Sequence, residues 1–99
     1  MTIEVKKNAV ETIIEIVGRL DTTTAPLLEN VIQKDMKMDE DLVLDMKGLE
    51  YVSSAGLRVL LGAQKKIHKN GSMKLRNVCD EIMEVFEITG FSDILTIEN

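Results

Sequence analysis

At 99 residues the chain has room for one domain, 1–99, and with 44% hydrophobic but only 3% aromatic residues its core has to be aliphatic. A net charge of −5 argues against non-specific nucleic-acid binding, which needs a clustered positive footprint. The lone Cys79 excludes an intrachain disulfide and gives no zinc spacing.

The N-terminal segment MTIEVKKNAV has no apolar leader, and no apolar run approaches the roughly 20 residues of a membrane span. The expectation is a cytoplasmic protein with no direct membrane insertion. Ile3 and Val5 alternate with Glu4 and Lys6, which predicts a strand. Asn8 marks a turn, and the β-branched run 11–17 predicts a second strand paired to the first as a hairpin ended by Gly18. Thr24 or a neighbour can cap a helix that tolerates Pro26 in its first turn. Leu28, Val31, Ile32 and Met36 continue it at helical spacing to about residue 37.

Asp39, Glu40 and Asp41 predict an acidic turn, and Leu42 to Met46 a short buried strand of a parallel sheet. A loop, 47–54, then leads to a second helix over about 55–69, stopped by Asn70-Gly71. Met73 and Leu75 alternate with Lys74 and Arg76 as a further strand. Residues 80–89 predict a third helix stopped at Gly90, and 94–97 a last short strand. This order predicts an α/β fold, one mixed sheet with helices packed against it. Function in such sheets gathers where strand C-termini meet helix N-termini, here 18–24 and 46–57.

Ser54 is placed to cap the second helix, its hydroxyl accepting from a first-turn N–H. The same geometry suits a modification. A helix N-terminus presents unpaired N–H groups and about half a positive charge, which stabilise a phosphate. Gly56 either permits close approach of a partner or meets a packing constraint. Along the helix Val59, Leu60, Ala63 and Ile67 form an apolar stripe; Arg58, Gly62, Lys65 and Lys69 form a second, either a solvated face or a docking edge. Asp21 can cap the first helix, bond loop N–H groups, or face the Ser54 loop. Asp45 is read as a structural, hydrogen-bonded carboxylate.

Enzyme readings find no support. His68 is the only histidine and lies far along a helix, so no Ser-His-Asp set assembles around Ser54. Neither GxxxxGK[ST] nor GxGxxG occurs, and the six methionines are scattered. No cofactor is expected.

The segments Gly18-Arg19-Leu20-Asp21, Ala25-Pro26, 42–46, 49–61 and Phe86 to Phe91 resemble the anti-sigma factor antagonists, stand-alone STAS domains, over essentially the whole chain. The resemblance implies a STAS-type sheet of four or five strands with three or more helices. It also implies a monomer that, unphosphorylated, binds an anti-sigma factor serine kinase and so releases a sigma factor. Phosphorylation of Ser54 would abolish binding and a PP2C-type phosphatase would reverse it. Partner contacts would come from Asp21, Thr22, Thr23, Ser53, Ala55, Gly56, Arg58 and Gly62. The chain departs from the commonest family pattern at Ser53, where Asp is frequent, at Ala55, where Ser or Thr is, and at Arg58, where Gly is. Ser53 is thereby the second candidate for the mark. Two alternatives stand beside the switch: a scaffold subunit of another assembly, such as a membrane lipid-transport complex, in which Ser54 is an unmodified cap, and a small-ligand or nucleotide sensor whose response depends on Asp21.

Overall fold

The computed structural model describes residues 1–35, 41–67 and 72–98. The predicted acidic turn at Asp39 and Glu40, His68, Lys69 and the Asn70-Gly71 stop lie outside the described residues. Strands β1 (Thr2–Lys7) and β2 (Glu11–Leu20) form the expected antiparallel hairpin. Its turn is held by Asn8, whose side-chain oxygen accepts from the N–H groups of Val10 and Glu11 at 2.8 Å each. The remaining elements are α1 (Ala25–Asp35), β3 (Asp41–Val52), α2 (Ser54–Ile67), β4 (Met73–Arg76), α3 (Asp80–Thr89) and β5 (Ile97–Glu98). The strands form one five-stranded sheet in the order β1-β2-β3-β4-β5, parallel everywhere except β1 against β2. This is the mixed α/β sheet expected.

One side of the sheet is apolar. Ile14, Ile16 and Leu20 of β2 and Leu42, Leu44 and Met46 of β3 share one buried cluster with residues of all three helices, including Leu28, Leu60 and Phe86. The residues that alternate with these on the strands mix charged side chains, such as Glu15, Asp45 and Lys47, with apolar ones, such as Ile13 and Val43, and two ion pairs span neighbouring strands: Lys6–Glu15 at 2.7 Å and Lys74–Glu98 at 3.3 Å. The Lys6 pKa is raised above its ordinary value by the hydrogen bond from its ammonium to Glu15.

Three boundaries differ from the sequence reading. Gly18 does not end β2; it takes a left-handed φ of 109° within a bulge, and the strand continues to Leu20. The segment 47–52 is not a loop but the second half of β3. Register shifts at Glu15/Val17 and Gly18/Arg19 break its two-residue alternation, leaving Glu50 and Tyr51 both exposed between buried Leu49 and Val52. At the C-terminal end a 3-10 turn, Phe91–Asp93, runs on into a turn and bend at Ile94 and Leu95, so of the expected strand over 94–97 only Ile97 pairs with β4, joined by Glu98. The third helix matches its expected bounds, closed by Gly90 in the left-handed region at φ 81°.

Candidate functional site

The parallel pairing of β2 and β3 sets their C-terminal ends side by side. Leu20 pairs with Val52, and the Ser53 N–H donates to the Leu20 carbonyl at 2.8 Å. The loop after β2 and the start of α2 are therefore neighbours, and the two junctions singled out in the sequence become one site.

Ser53, not Ser54, is the cap of α2. The Gly56 N–H donates to Ser53 Oγ at 3.3 Å, and the Leu57 N–H donates to the Ser53 carbonyl at 2.9 Å. α2 starts one residue earlier than a cap at Ser54 allows, directly after the Ser53 that follows β3, so Ser54 becomes the first helical residue. It is exposed, and its hydroxyl makes no hydrogen bond among the described residues. No acidic side chain stands in the first turn to offset the partial positive charge there. Arg58, one turn along, is exposed as well.

Asp21 binds its own loop. Its Oδ1 accepts from the N–H groups of Thr23 and Thr24 at 3.0 and 3.1 Å. Thr24 Oγ1 accepts from the Asp21 N–H at 2.8 Å and donates to the Arg19 carbonyl at 2.7 Å. The backbone hydrogen bond from Thr24 and then that from Thr23 hold the Asp21 carboxyl below its ordinary pKa, with a smaller contribution from the Arg19 charge. Of the three roles open to Asp21 in the sequence, the geometry selects bonding of loop N–H groups. Asp45 is hydrogen-bonded too, accepting from the Lys47 N–H and from Asn77 Nδ2 at 3.1 Å each.

Gly56 faces inward. A Cβ there would stand 2.7 Å from Leu20 Cγ and 3.0 Å from Val52 Cγ2, so the packing constraint accounts for it and direct contact with a partner does not. Gly62 is the opposite case, exposed, with nothing within 4 Å of an added Cβ. Thr22, Ala55 and Arg58 line one depression of about 270 Å³ together with Pro26 and Glu29. Gly62 lines a second, of about 170 Å³, with Arg58, Gln33 and Lys66. The polar stripe of α2 thus divides: Lys66 joins Arg58 and Gly62, whereas Lys65 lies beside Gln64, Ile94 and Thr96. Thr23 is exposed in the neighbouring loop and lines neither depression.

One element of the site is absent from the sequence reading. The Arg19 guanidinium lies 4.2 Å from the centroid of the Tyr51 ring, a cation–π pair across the ends of β2 and β3. The sequence offers no signal for it, because the pairing depends on the bulged register. No group of three or more His, Cys, Asp or Glu side chains is placed to hold a metal among the described residues. No helix among them is long and apolar enough to cross a membrane.

Comparison with known proteins agrees with this fold. The STAS domain family matches residues 1–99. The anti-sigma-B factor antagonist of Bacillus subtilis (strain 168) is 33% identical over 98 residues, 98% of this chain and 90% of that protein. The chain belongs to the STAS domain family of anti-sigma factor antagonists. Its fold superposes on the crystal structure of an anti-sigma factor antagonist from Mycobacterium paratuberculosis with a TM-score of 0.87 at 23% identity, over 97% of this chain and 83% of that one. The Bacillus cell fate determinant SpoIIAA in its phosphorylated form shares the fold with a TM-score of 0.70 at 14% identity, over 99% of this chain and 92% of that one. Within this STAS domain the Ser53-Ser54 junction is where the exposed hydroxyl, the helix N-terminus and the α1/α2 depressions meet.

Proposed function

We propose that this protein antagonises an anti-sigma factor by a phosphorylation switch on Ser54. Unphosphorylated, it binds an anti-sigma factor that is also a serine kinase, and the sigma factor is released. The kinase transfers phosphate to Ser54 and binding ends; a PP2C-type phosphatase restores it. The protein acts as a cytoplasmic monomer and needs no cofactor of its own. It binds partner proteins rather than nucleic acid, and it is a regulator, not an enzyme.

The observation that carries the reading is the division of labour between the two serines. Ser53 Oγ is engaged as the helix cap, while Ser54 Oγ is exposed and free of hydrogen bonds among the described residues. That favours Ser54 over Ser53 as acceptor. A phosphate there gains the helix N-terminal N–H groups and dipole, so the fold need not change to carry it. It also brings a charge near −2 to a surface that has to be desolvated on binding, and like-charge and desolvation costs of a few kcal/mol lower affinity by orders of magnitude. Thr22, Thr23, Ala55, Arg58 and Gly62 supply the contacts around it, Asp21 shapes the loop, and Gly56 seats α2 against the core. The relatives' names as anti-sigma-B factor antagonists point the same way.

Native-host lysate passed over Ser54→Ala and Ser54→Asp baits tests this, with mass spectrometry of what each retains. A serine kinase of the anti-sigma type held by the Ala bait and lost from the Asp bait is expected. The same membrane-transport proteins on both baits, without a kinase, would overturn the reading in favour of a scaffold role.

A further inference from the structure

The depressions beside Thr22 and Gly62 share Glu29, Arg58 and Val59, so they are one groove between α1 and α2. It starts next to Ser54 at Ala55 and ends at Lys66. The eleven steps from residue 55 to residue 66, at 1.5 Å rise each, make it about 16 Å long, three helical turns. Its floor is apolar and buried, built from Ala25, Ile32, Val59 and Ala63. Along α2 it has no wall at Gly62, where a side chain would meet nothing within 4 Å.

Charge separates the two sides. The ion pairs among the described residues are Lys6–Glu15 and Lys74–Glu98, so Arg58 and Lys66 on the α2 side pair with no carboxylate among the described residues. The α1 wall carries the exposed carboxylate of Glu29, and the α2 wall carries Arg58 and Lys66 above the apolar floor, so the α2 side favours a ligand that brings carboxylates. A groove of three turns between two helices, with small residues at its base, matches a third helix lying along it.

Resting on the switch reading, we propose that this groove receives a helix of the anti-sigma partner, its small apolar side chains on the floor and its carboxylates against Arg58 and Lys66. Ser54 lies outside the groove but four residues before Arg58 on the same helix. A phosphate on Ser54 is therefore within reach of the Arg58 guanidinium. The mark draws away the cation that the groove offers to the partner, and it weakens docking without entering the groove.

The test is titration calorimetry with the purified anti-sigma kinase recovered on the Ser54→Ala bait, against wild type, Ser54→Asp, Gly62→Gln and Arg58→Glu. Gly62→Gln places a side chain in open space on a helix, so its melting temperature should equal or exceed that of wild type. It and Arg58→Glu should each weaken binding about tenfold or more. Wild-type affinity of Gly62→Gln beside lost binding by Ser54→Asp would overturn the groove and leave the switch standing. Equal binding by all four proteins, or no kinase on the Ala bait, would overturn the switch and the groove with it. Concentration-dependent self-association that Gly62→Gln abolishes, with partner affinity unchanged, would give the groove to a second copy of this chain and overturn the proposal.

Discussion

Two glycines of α2, six residues apart, should respond to alanine in opposite directions. At Gly56 the new Cβ would stand 2.7 Å from Leu20 Cγ, 2.9 Å from Leu20 Cδ2 and 3.0 Å from Val52 Cγ2. Leu20 is fully buried and Val52 nearly so, so neither side chain can swing into solvent. Overpacking of this kind costs about 1–3 kcal/mol. Alanine recovers at most about 1 kcal/mol through its helix propensity, less so close to the helix start. The net loss is about 1–2 kcal/mol. At about 4–8 °C per kcal/mol for a domain of this size, the melting temperature should fall by roughly 5–15 °C. Gly62→Ala meets nothing, keeps the whole propensity gain of about 1 kcal/mol, and should melt about 4–8 °C higher. Scanning calorimetry of the two variants and wild type at one pH gives both shifts. A Gly56→Ala protein as stable as wild type would mean that Leu20 and Val52 relax without cost, and the account of Gly56 as a packing residue would fail.

Ser53→Ala should cost about 1 kcal/mol through the lost cap, whereas Ser54→Ala should be nearly neutral; urea titration of both separates them, and equal losses would contradict the assignment of the cap to Ser53. Asp21 has a lower pKa in the folded chain than in the unfolded one, so its stabilisation is complete above the unfolded carboxylate's pKa and is lost as pH falls through the folded value. Asp21→Asn should therefore flatten the acid side of the stability profile while changing little at pH 7 in its pH dependence. A variant whose acid limb has the wild-type slope would show that the loop bonds do not favour the ionised form.

Where local signals and tertiary packing agree, the sequence already reads as the structure does. The hairpin turn at Asn8, the alternation through β4 and the Asp80–Thr89 helix ending at Gly90 are all local. The readings that changed depend on non-local register. Lys47 to Val52 reads as a loop because Glu50 and Tyr51 fall outside any two-residue alternation, and the bulge that causes this is defined only by β2 lying alongside. Where α2 starts, with Ser53 tied to the Leu20 carbonyl at the end of β2, then decides which of two adjacent serines is the cap, since either would serve equally well in isolation. Gly56 and Gly62 are likewise indistinguishable as letters. One is filled from outside by Leu20 and Val52, the other by nothing. The sequence singles out the residues of both junctions, but their partition into cap, packing residue, loop scaffold and exposed positions comes only from the fold.

The one-residue offset at Ser53-Ser54 bears directly on how a switch could work here. Were cap and acceptor the same hydroxyl, modification would remove the oxygen that receives the Gly56 N–H, and each cycle would alter stability along with binding. With the cap on Ser53, the Gly56 N–H keeps its acceptor whatever happens at Ser54. Ser53 is tied in turn to the Leu20 carbonyl, and Leu20 packs against Gly56, so the strand ends and the helix start form one closed unit beneath the exposed hydroxyl. Under the proposed switch, charge added at Ser54 would be sensed by what approaches from outside and by Arg58 one turn away, while the core beneath would stay the same. On the proposed switch, a mark that leaves the fold unchanged would let the modification be added and removed repeatedly without passing through a less stable state.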